Sequence, residues 1–247
     1  MLFDTHAHYD DEAFDPDREL LLESLPQRGV ALVLNPGCDL DSSRKAVSYA
    51  AAYPHVYAAV GIHPENCAGF VPADIDVLRE LARQPKVAAI GEIGLDDYWA
   101  ENPPRKLQQQ VRRAQLALAR ALRLPVIFHD REAHGDSLAT AREFPDVTGV
   151  FHCFSGSPEV ARAPLDLGLD LGFQAQGVVD PDQVLVAGHP DRRGQTALTN
   201  LAVAAALVGD GVAVLRLGEL AGLHHVVHRL GQREVIYSRV TQGQLKQ

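Results

Sequence analysis

The sequence predicts an α/β protein, a parallel β/α barrel built as one domain. Three observations predict it. The chain has 247 residues, close to the length of about 250 typical of such barrels. Short β-rich runs alternate with amphipathic helical stretches over the first 175 residues, and chains of this kind form parallel sheets. Histidines or an acid follow several of these runs. A doubly wound open sheet is the alternative that the pattern leaves open.

Seven runs are predicted strands, and helices are predicted between them. The strands are 2–4, 30–35, 56–61, 87–93, 125–128, 149–151 and 169–173. The helices are 17–28, 41–52, 73–83, 105–122 and 136–142, with Gly, Pro or Asn at the joins. Seven strands leave a barrel one strand short, so we expect the last βα unit to be divergent or incomplete.

Composition and charge limit the classes of function. The chain is 46% hydrophobic and 22% charged, which suits one globular domain over residues 1–247. A formal charge of −9 and a pI near 5.6 argue against a protein that coats nucleic acid through a broad basic face. They do not exclude an enzyme that holds phosphate locally through bound cations.

Location and partners are predicted from what the sequence lacks. The first residues carry no basic targeting region, and no apolar run reaches the roughly 18 residues of a membrane span. The three cysteines form no CxxC pair, so we expect reduced thiols. We therefore expect a cytoplasmic protein with no membrane contact and no stable protein partner.

A pair of histidines follows the first predicted strand. His6 and His8 are two residues apart, so on an extended strand end both imidazoles point to one side and can hold one cation. Alone, such a pair is more often a pair of exposed polar residues. It gains weight only when other ligands occupy neighbouring strand ends.

Other strand ends supply such residues. Glu92 lies in an apolar run between Gly91 and Gly94, and a charge buried there must be paired or must coordinate a metal; an ion pair with a basic residue is the structural alternative. His129 and His152 each end an apolar strand, and His63 follows the third strand. Because the carboxyl ends of barrel strands converge on one face, these residues are expected to meet.

The combination predicts a site with two divalent cations. Glu92 is its one carboxylate and can bridge an ion held by His6 and His8 and a second held by His129 and His152. Two such ions, about 3.5–4 Å apart, favour hydrolysis of a phosphoester by an activated water. Mixed imidazole and carboxylate ligands suit Zn²⁺ or Mn²⁺, and Mg²⁺ if waters complete its shell.

Five segments together resemble the TatD family of metal-dependent deoxyribonucleases, in the same order and spacing over residues 1 to about 179. They are 3–8, 60–65, 90–96, 124–131 and 152–157. The resemblance implies a TIM-type barrel of the amidohydrolase-like group and divalent-metal-dependent hydrolysis of DNA, often as an exonuclease from the 3′ end.

Residue roles follow from the same resemblance. It implies metal ligation by His6, His8, Glu92, His129 and His152. It places His63 and Arg131 in the active site near the scissile phosphate. Asp130 departs from the family, which usually has Ser there; its carboxylate either weakens phosphate binding or faces away.

The last quarter, residues 180–247, departs from the family. The expected Glu-Thr-Asp strand end and its Pro-rich loop are absent. Residues 1–179 carry 26 acidic and 16 basic residues, a net charge of −10, whereas residues 180–247 carry 6 and 7, a net charge of +1. A divergent βα unit, a replaced interaction segment and a frame-shifted segment compete as explanations. The abrupt change favours the frame shift.

Two acids are candidates for the missing aspartate. Asp210 lies about the right distance downstream, but its surroundings suggest a turn residue between a helix and a strand. Glu219 follows the apolar run 212–217.

The predicted function is that of a TatD-type deoxyribonuclease with DNA as substrate. The candidate catalytic residues are Glu92, His63, Arg131 and Asp210. An amidohydrolase-like enzyme acting on a small ester, lactone or amide is the alternative, because a fold does not fix function. The third hypothesis is a metal-binding relative without catalytic activity, because the family's last aspartate is missing.

Overall fold

The computed structural model describes residues 2–172, 205–208 and 211–214. Seven strands form its main sheet: β1 (Leu2–Asp4), β2 (Val30–Pro36), β3 (Val56–Val60), β4 (Val87–Asp96), β5 (Val126–Arg131), β6 (Gly149–Phe151) and β7 (Asp170–Leu171). Six α-helices lie between them: α1 (Arg18–Ser24), α2 (Leu40–Ala52), α3 (Asp74–Ala82), α4 (Arg105–Leu122), α5 (His134–Arg142) and α6 (Pro158–Asp166). Short 3₁₀ helices cover Glu12–Phe14 and Pro64–Gly69.

The sheet is parallel and curled. Each strand pairs with the next one in the chain, in the order β1 to β7, whereas a doubly wound sheet would reverse its order at a switch point. The rings of His6 after β1 and His152 after β6 stack with centroids 3.5 Å apart. Five strand spacings of about 4.8 Å would separate these strands by roughly 24 Å in a flat sheet. The prediction of a TIM-type barrel is therefore confirmed, whereas the predicted divergent or incomplete last βα unit lies outside the described residues.

Several predicted bounds were wrong. α1 ends at Ser24 rather than at residue 28, because Pro26 lacks an N–H and restricts the residue before it. β4 and β5 extend to Asp96 and Arg131. Their polar ends are hydrogen-bonded to each other as strands, although their composition suggested loops. α6 is additional to the predicted helices.

Strand alternation separates an inner from an outer face. Inside the barrel lies a cluster of apolar side chains from five strands: Leu34, Ala59, Ala89, Ile127 and Val150. The larger cluster between sheet and helices includes Phe128 and Phe151. Because side chains alternate along a strand, residues two positions beyond the inner cluster also face inward. This rule places His129 and His152 above the floor of the barrel.

A second, two-stranded sheet lies further along the chain. β8 (Ala205–Val208) pairs antiparallel with β9 (Gly211–Val214). The expectation of a helix before Asp210 was wrong, since a two-residue connection between antiparallel strands needs extended chain on both sides. Asp210 and Glu219 themselves lie outside the described residues. Among the described residues, none of the helices combines the length and the hydrophobicity that a membrane span requires.

Candidate metal centre

The residues predicted from strand ends converge around Glu92. Nε2 of His6 lies 3.1 Å from its Oε2, and Nε2 of His8 lies 3.7 Å from the same oxygen. On the other carboxylate oxygen, Nδ1 of His129 lies at 2.9 Å and Nε2 of His63 at 3.9 Å. Four imidazoles from the ends of three strands thus surround one carboxylate that is only 4% exposed.

A local irregularity of β4 helps to aim Glu92. Ile90 pairs with Val126 and Ile93 with Phe128, so β4 advances by three residues over a length in which β5 advances by two. Such a bulge re-aims side chains and shifts the alternation by one position. The inner cluster residue Ala89 and Glu92 can then both face the interior, although Glu92 lies three positions after Ala89 and strict alternation would put them on opposite faces.

His129 is held between two carboxylates of β4. Its Nδ1 bonds Glu92 Oε1 at 2.9 Å, and its Nε2 bonds Asp96 Oδ2 at 3.0 Å. Gly94 lies between these acids, and a Cβ there would meet the carbonyl oxygen of His129 at 1.9 Å. β5 therefore approaches β4 so closely at this position that only glycine fits.

Burial and the carboxylates set the charges. Burial lowers the pKa of His63 to about 4 and that of His152 to about 3. Burial also opposes charge on His129, but its hydrogen bonds to Asp96 and Glu92 raise the pKa to about 9. Burial would raise the pKa of Glu92, yet His6 and His129 hold it well below its usual value. At neutral pH the centre therefore contains a carboxylate and at least two neutral imidazoles.

The ring of His63 also contacts the backbone that follows it. It caps the 3₁₀ helix Pro64–Gly69, and its Nδ1 accepts a hydrogen bond from the Glu65 backbone N–H at 3.3 Å. A neutral imidazole that accepts at Nδ1 carries its proton on Nε2. That nitrogen lies 3.9 Å from Glu92 Oε1 and is a donor in this tautomer.

Two further predicted residues lie at the same face. The ring of His152 stacks on that of His6, with an interplanar angle of 10°. The second set of side chains that could hold a metal ion consists of His63, Glu92 and His129, and it does not include His152. Arg131, at the end of β5, is exposed and lies over the rings of Tyr98 and Trp99.

Asp130 faces away from this centre. Its Oδ2 lies 2.6 Å from Nδ1 of His134, and its Oδ1 accepts from Ser137 Oγ at 3.1 Å. Both partners belong to α5. Of the two predicted alternatives for this residue, facing away is the one observed.

Sequence reasoning gave no role to Asp96. Its carboxylate is fully buried, bonds His129, and accepts hydrogen bonds from the Tyr98 backbone N–H at 3.0 Å and the Asn102 side chain at 2.9 Å. The available signal was an acid four residues after Glu92 in the same apolar run. The shorter predicted strand placed it in a loop.

The donor set fits a divalent cation. The nitrogens of His6 and His8 and an oxygen of Glu92 lie within 4.8 Å of one another. Nε2 of His6 and Nε2 of His8 are 3.0 Å apart, and the buried Nδ1 of His6 has no hydrogen-bond partner. None of the three cysteines forms a disulfide, and none joins these candidate ligand groups. A mixed imidazole and carboxylate set of this kind suits Zn²⁺ or Mn²⁺.

A parallel barrel with imidazoles and a carboxylate at its carboxyl-end face defines the metal-dependent barrel hydrolases. The family model "TatD related DNase" matches residues 3–186. The chain belongs to this family of metal-dependent hydrolases.

Individual proteins similar to this chain belong to the same family. The "uncharacterized metal-dependent hydrolase YabD" of Bacillus subtilis is 38% identical over 175 residues, which cover 70% of this chain and 68% of the relative. The "3'-5' ssDNA/RNA exonuclease TatD" of Salmonella typhimurium is 33% identical over 174 residues, covering 70% and 66%. The match thus spans about two thirds of the length of these relatives. The crystal structure of the TatD homologue YjjV from Escherichia coli superimposes with a TM-score of 0.66 and 29% identity, covering 93% of this chain and 90% of that one.

Proposed function

We propose that the protein hydrolyses phosphodiester bonds of DNA with two divalent cations. The observation that carries the proposal is the convergence of His6, His8 and His129 on the buried carboxylate of Glu92. The ssDNA/RNA exonuclease activity in the name of the Salmonella relative supports a nucleic-acid substrate.

In this proposal His6, His8 and Glu92 hold one cation, and Glu92, His129 and His152 hold the other. Such ions, when bound, lower the pKa of a water molecule and offset charge on the phosphate and the leaving oxygen. Asp96 fixes the ring of His129 through Nε2, so Nδ1 is the nitrogen turned toward Glu92. Outer partners of this kind orient ligands and tune their basicity.

Two other residues contact the substrate in the proposal. The Nε2–H of His63 donates to a non-bridging phosphate oxygen, and its low pKa keeps the ring neutral and in one tautomer at working pH. The guanidinium of Arg131 attracts the phosphate and offers paired donors. We propose Asp210 as the acid that completes the first site, on its sequence position alone.

The remaining predictions concern the whole chain. We propose that residues 1–247 act as one domain in the cytoplasm. Three cysteines that form no disulfide support a reducing compartment.

The test is hydrolysis by purified protein supplied with Mn²⁺, Mg²⁺ or Zn²⁺. We expect release of nucleotides from single-stranded DNA that stops on addition of EDTA. A panel of small esters, lactones and amides is assayed in parallel. Turnover of the panel without turnover of DNA would reject the nuclease proposal. Metal uptake without any hydrolysis would identify a silent relative.

A further inference from the structure

An exposed aromatic pair lies beside the candidate centre and takes no part in the proposed chemistry. Tyr98 and Trp99 follow β4 and are 51% and 44% exposed. Neither belongs to a hydrophobic core cluster of the described residues. Apolar packing within residues 2–172 therefore does not explain two large rings at this position.

The pair is ordered by its own contacts. The two ring centroids are 4.6 Å apart with planes at 88°, an edge-to-face arrangement that aromatic pairs favour. The guanidinium of Arg131 lies 4.1 Å from the Tyr98 centroid and 5.3 Å from the Trp99 centroid. Cation–π contacts of this length hold all three groups together. Rings ordered before binding lose less entropy when a ligand arrives.

The pair is also tied to the metal ligands. The Tyr98 backbone N–H donates to Asp96 Oδ1 at 3.0 Å, and the other oxygen of that carboxylate bonds His129. The backbone N–H of Asp97 donates to the carbonyl of Arg131 at 3.0 Å. One buried acid thus fixes both the aromatic loop and a proposed metal ligand.

The combination has a specific chemistry. Half-exposed aromatic faces beside a guanidinium match a unit that carries a flat ring next to a phosphate, as each nucleotide of a single strand does. Base stacking on aromatic side chains tolerates any sequence, because every base has a π face. A base-paired duplex hides those faces.

We propose that Tyr98 and Trp99, braced by Arg131, form a stacking site for a nucleobase next to the phosphodiester that is cleaved. The site would make the enzyme prefer single-stranded nucleic acid over small phosphodiesters. This inference rests on the proposed function.

The chain carries one tryptophan and six tyrosines, so tryptophan emission, excited at a wavelength that tyrosine does not absorb, reports on Trp99 alone. The experiment mixes wild-type protein and Mn²⁺ with a short single-stranded oligodeoxynucleotide in a stopped-flow instrument, before turnover. A backbone-matched abasic oligonucleotide is the control ligand. We expect quenching of Trp99 by the first and not by the second, with binding of both followed by the anisotropy of a labelled strand.

Variants give a second readout. Trp99→Ala should raise the KM for single-stranded DNA about 5- to 150-fold, equivalent to ~1–3 kcal/mol, with little change in kcat. Trp99→Phe should restore most of the affinity, and the abasic substrate should not distinguish the variants. Leu20→Ala, which removes another exposed apolar side chain, should behave as wild type.

The outcomes separate the two proposals. DNA that is bound and cleaved without quenching, or with an unchanged KM in Trp99→Ala, overturns the stacking site and leaves the nuclease proposal standing. Base-dependent quenching without hydrolysis supports the stacking site and rejects the nuclease. DNA that is neither bound nor cleaved overturns both.

Discussion

Replacing Glu92 by Gln tests the centre most directly. The change keeps the shape of the side chain but removes the charge that faces four imidazoles at 2.9–3.9 Å, and a neutral amide is a poor bridging ligand. Loss of an outer partner alone weakens a metal site about 10- to 100-fold. Since Glu92 serves both proposed ions, we expect the combined affinity to fall at least about 100-fold, taking the lower figure for each site.

The assay is metal analysis after dialysis against Mn²⁺, together with initial rates on single-stranded DNA. Metal content and rate should fall together in Glu92→Gln. Loss of hydrogen bonds to a charged group costs ~1.5–3 kcal/mol of unfolding free energy each, so circular dichroism must show that the variant is folded. Glu80→Gln changes the same atoms at the surface, in a pair with Arg83, and should retain both. Unchanged metal content and rate in folded Glu92→Gln would show that Glu92 is structural.

Four further predictions address other parts of the molecule. Replacing His6 and His8 together by Ala should remove one of the two bound metals, and retention of both would refute the ligand assignment. Asp96→Asn should lower the rate about 10- to 100-fold, the range for outer partners of metal ligands; an unchanged rate would leave this acid a structural role only. Gly94→Ala should destabilise the protein because its Cβ has no room, whereas Gly135→Ala, with nothing within 4 Å, should stabilise by ~0.5–1 kcal/mol; thermal unfolding that ranks them otherwise contradicts the packing. If residues beyond about 179 are frame-shifted, another frame of the coding DNA must spell an apolar strand ending in Glu-Thr-Asp, and its absence there excludes the shift.

The alternation of β-rich and helical runs was enough to predict a parallel sheet, and the resemblance to the TatD family implied the barrel. Position at strand ends was enough to bring His6, Glu92 and His129 together, because barrel topology converges those ends whatever the loops do. Local composition did not predict where β4 and β5 end, because contacts between the two strands determine those bounds. Asp96 and Arg131 look like loop residues, yet they pair as strand residues.

The tautomer of His63 could not be predicted from the sequence. Its proton position depends on one hydrogen bond from the backbone N–H of Glu65. Nothing in residue type or spacing specifies that bond. For Asp130 the sequence left two alternatives open. Strand alternation and its hydrogen bonds to His134 and Ser137 on α5 decide that it faces away from the centre.

The end of β5 assigns three neighbouring residues to three different tasks. His129 turns to the centre, Asp130 to α5, and Arg131 to the aromatic pair. A substitution at 130 can therefore change the charge between β5 and α5 without changing the candidate metal centre. Insertion or deletion of a single residue here would instead exchange the two sides, bringing an acid to the candidate metal centre and burying an imidazole under a helix. This strand should accept mutation by replacement and resist any change in its length.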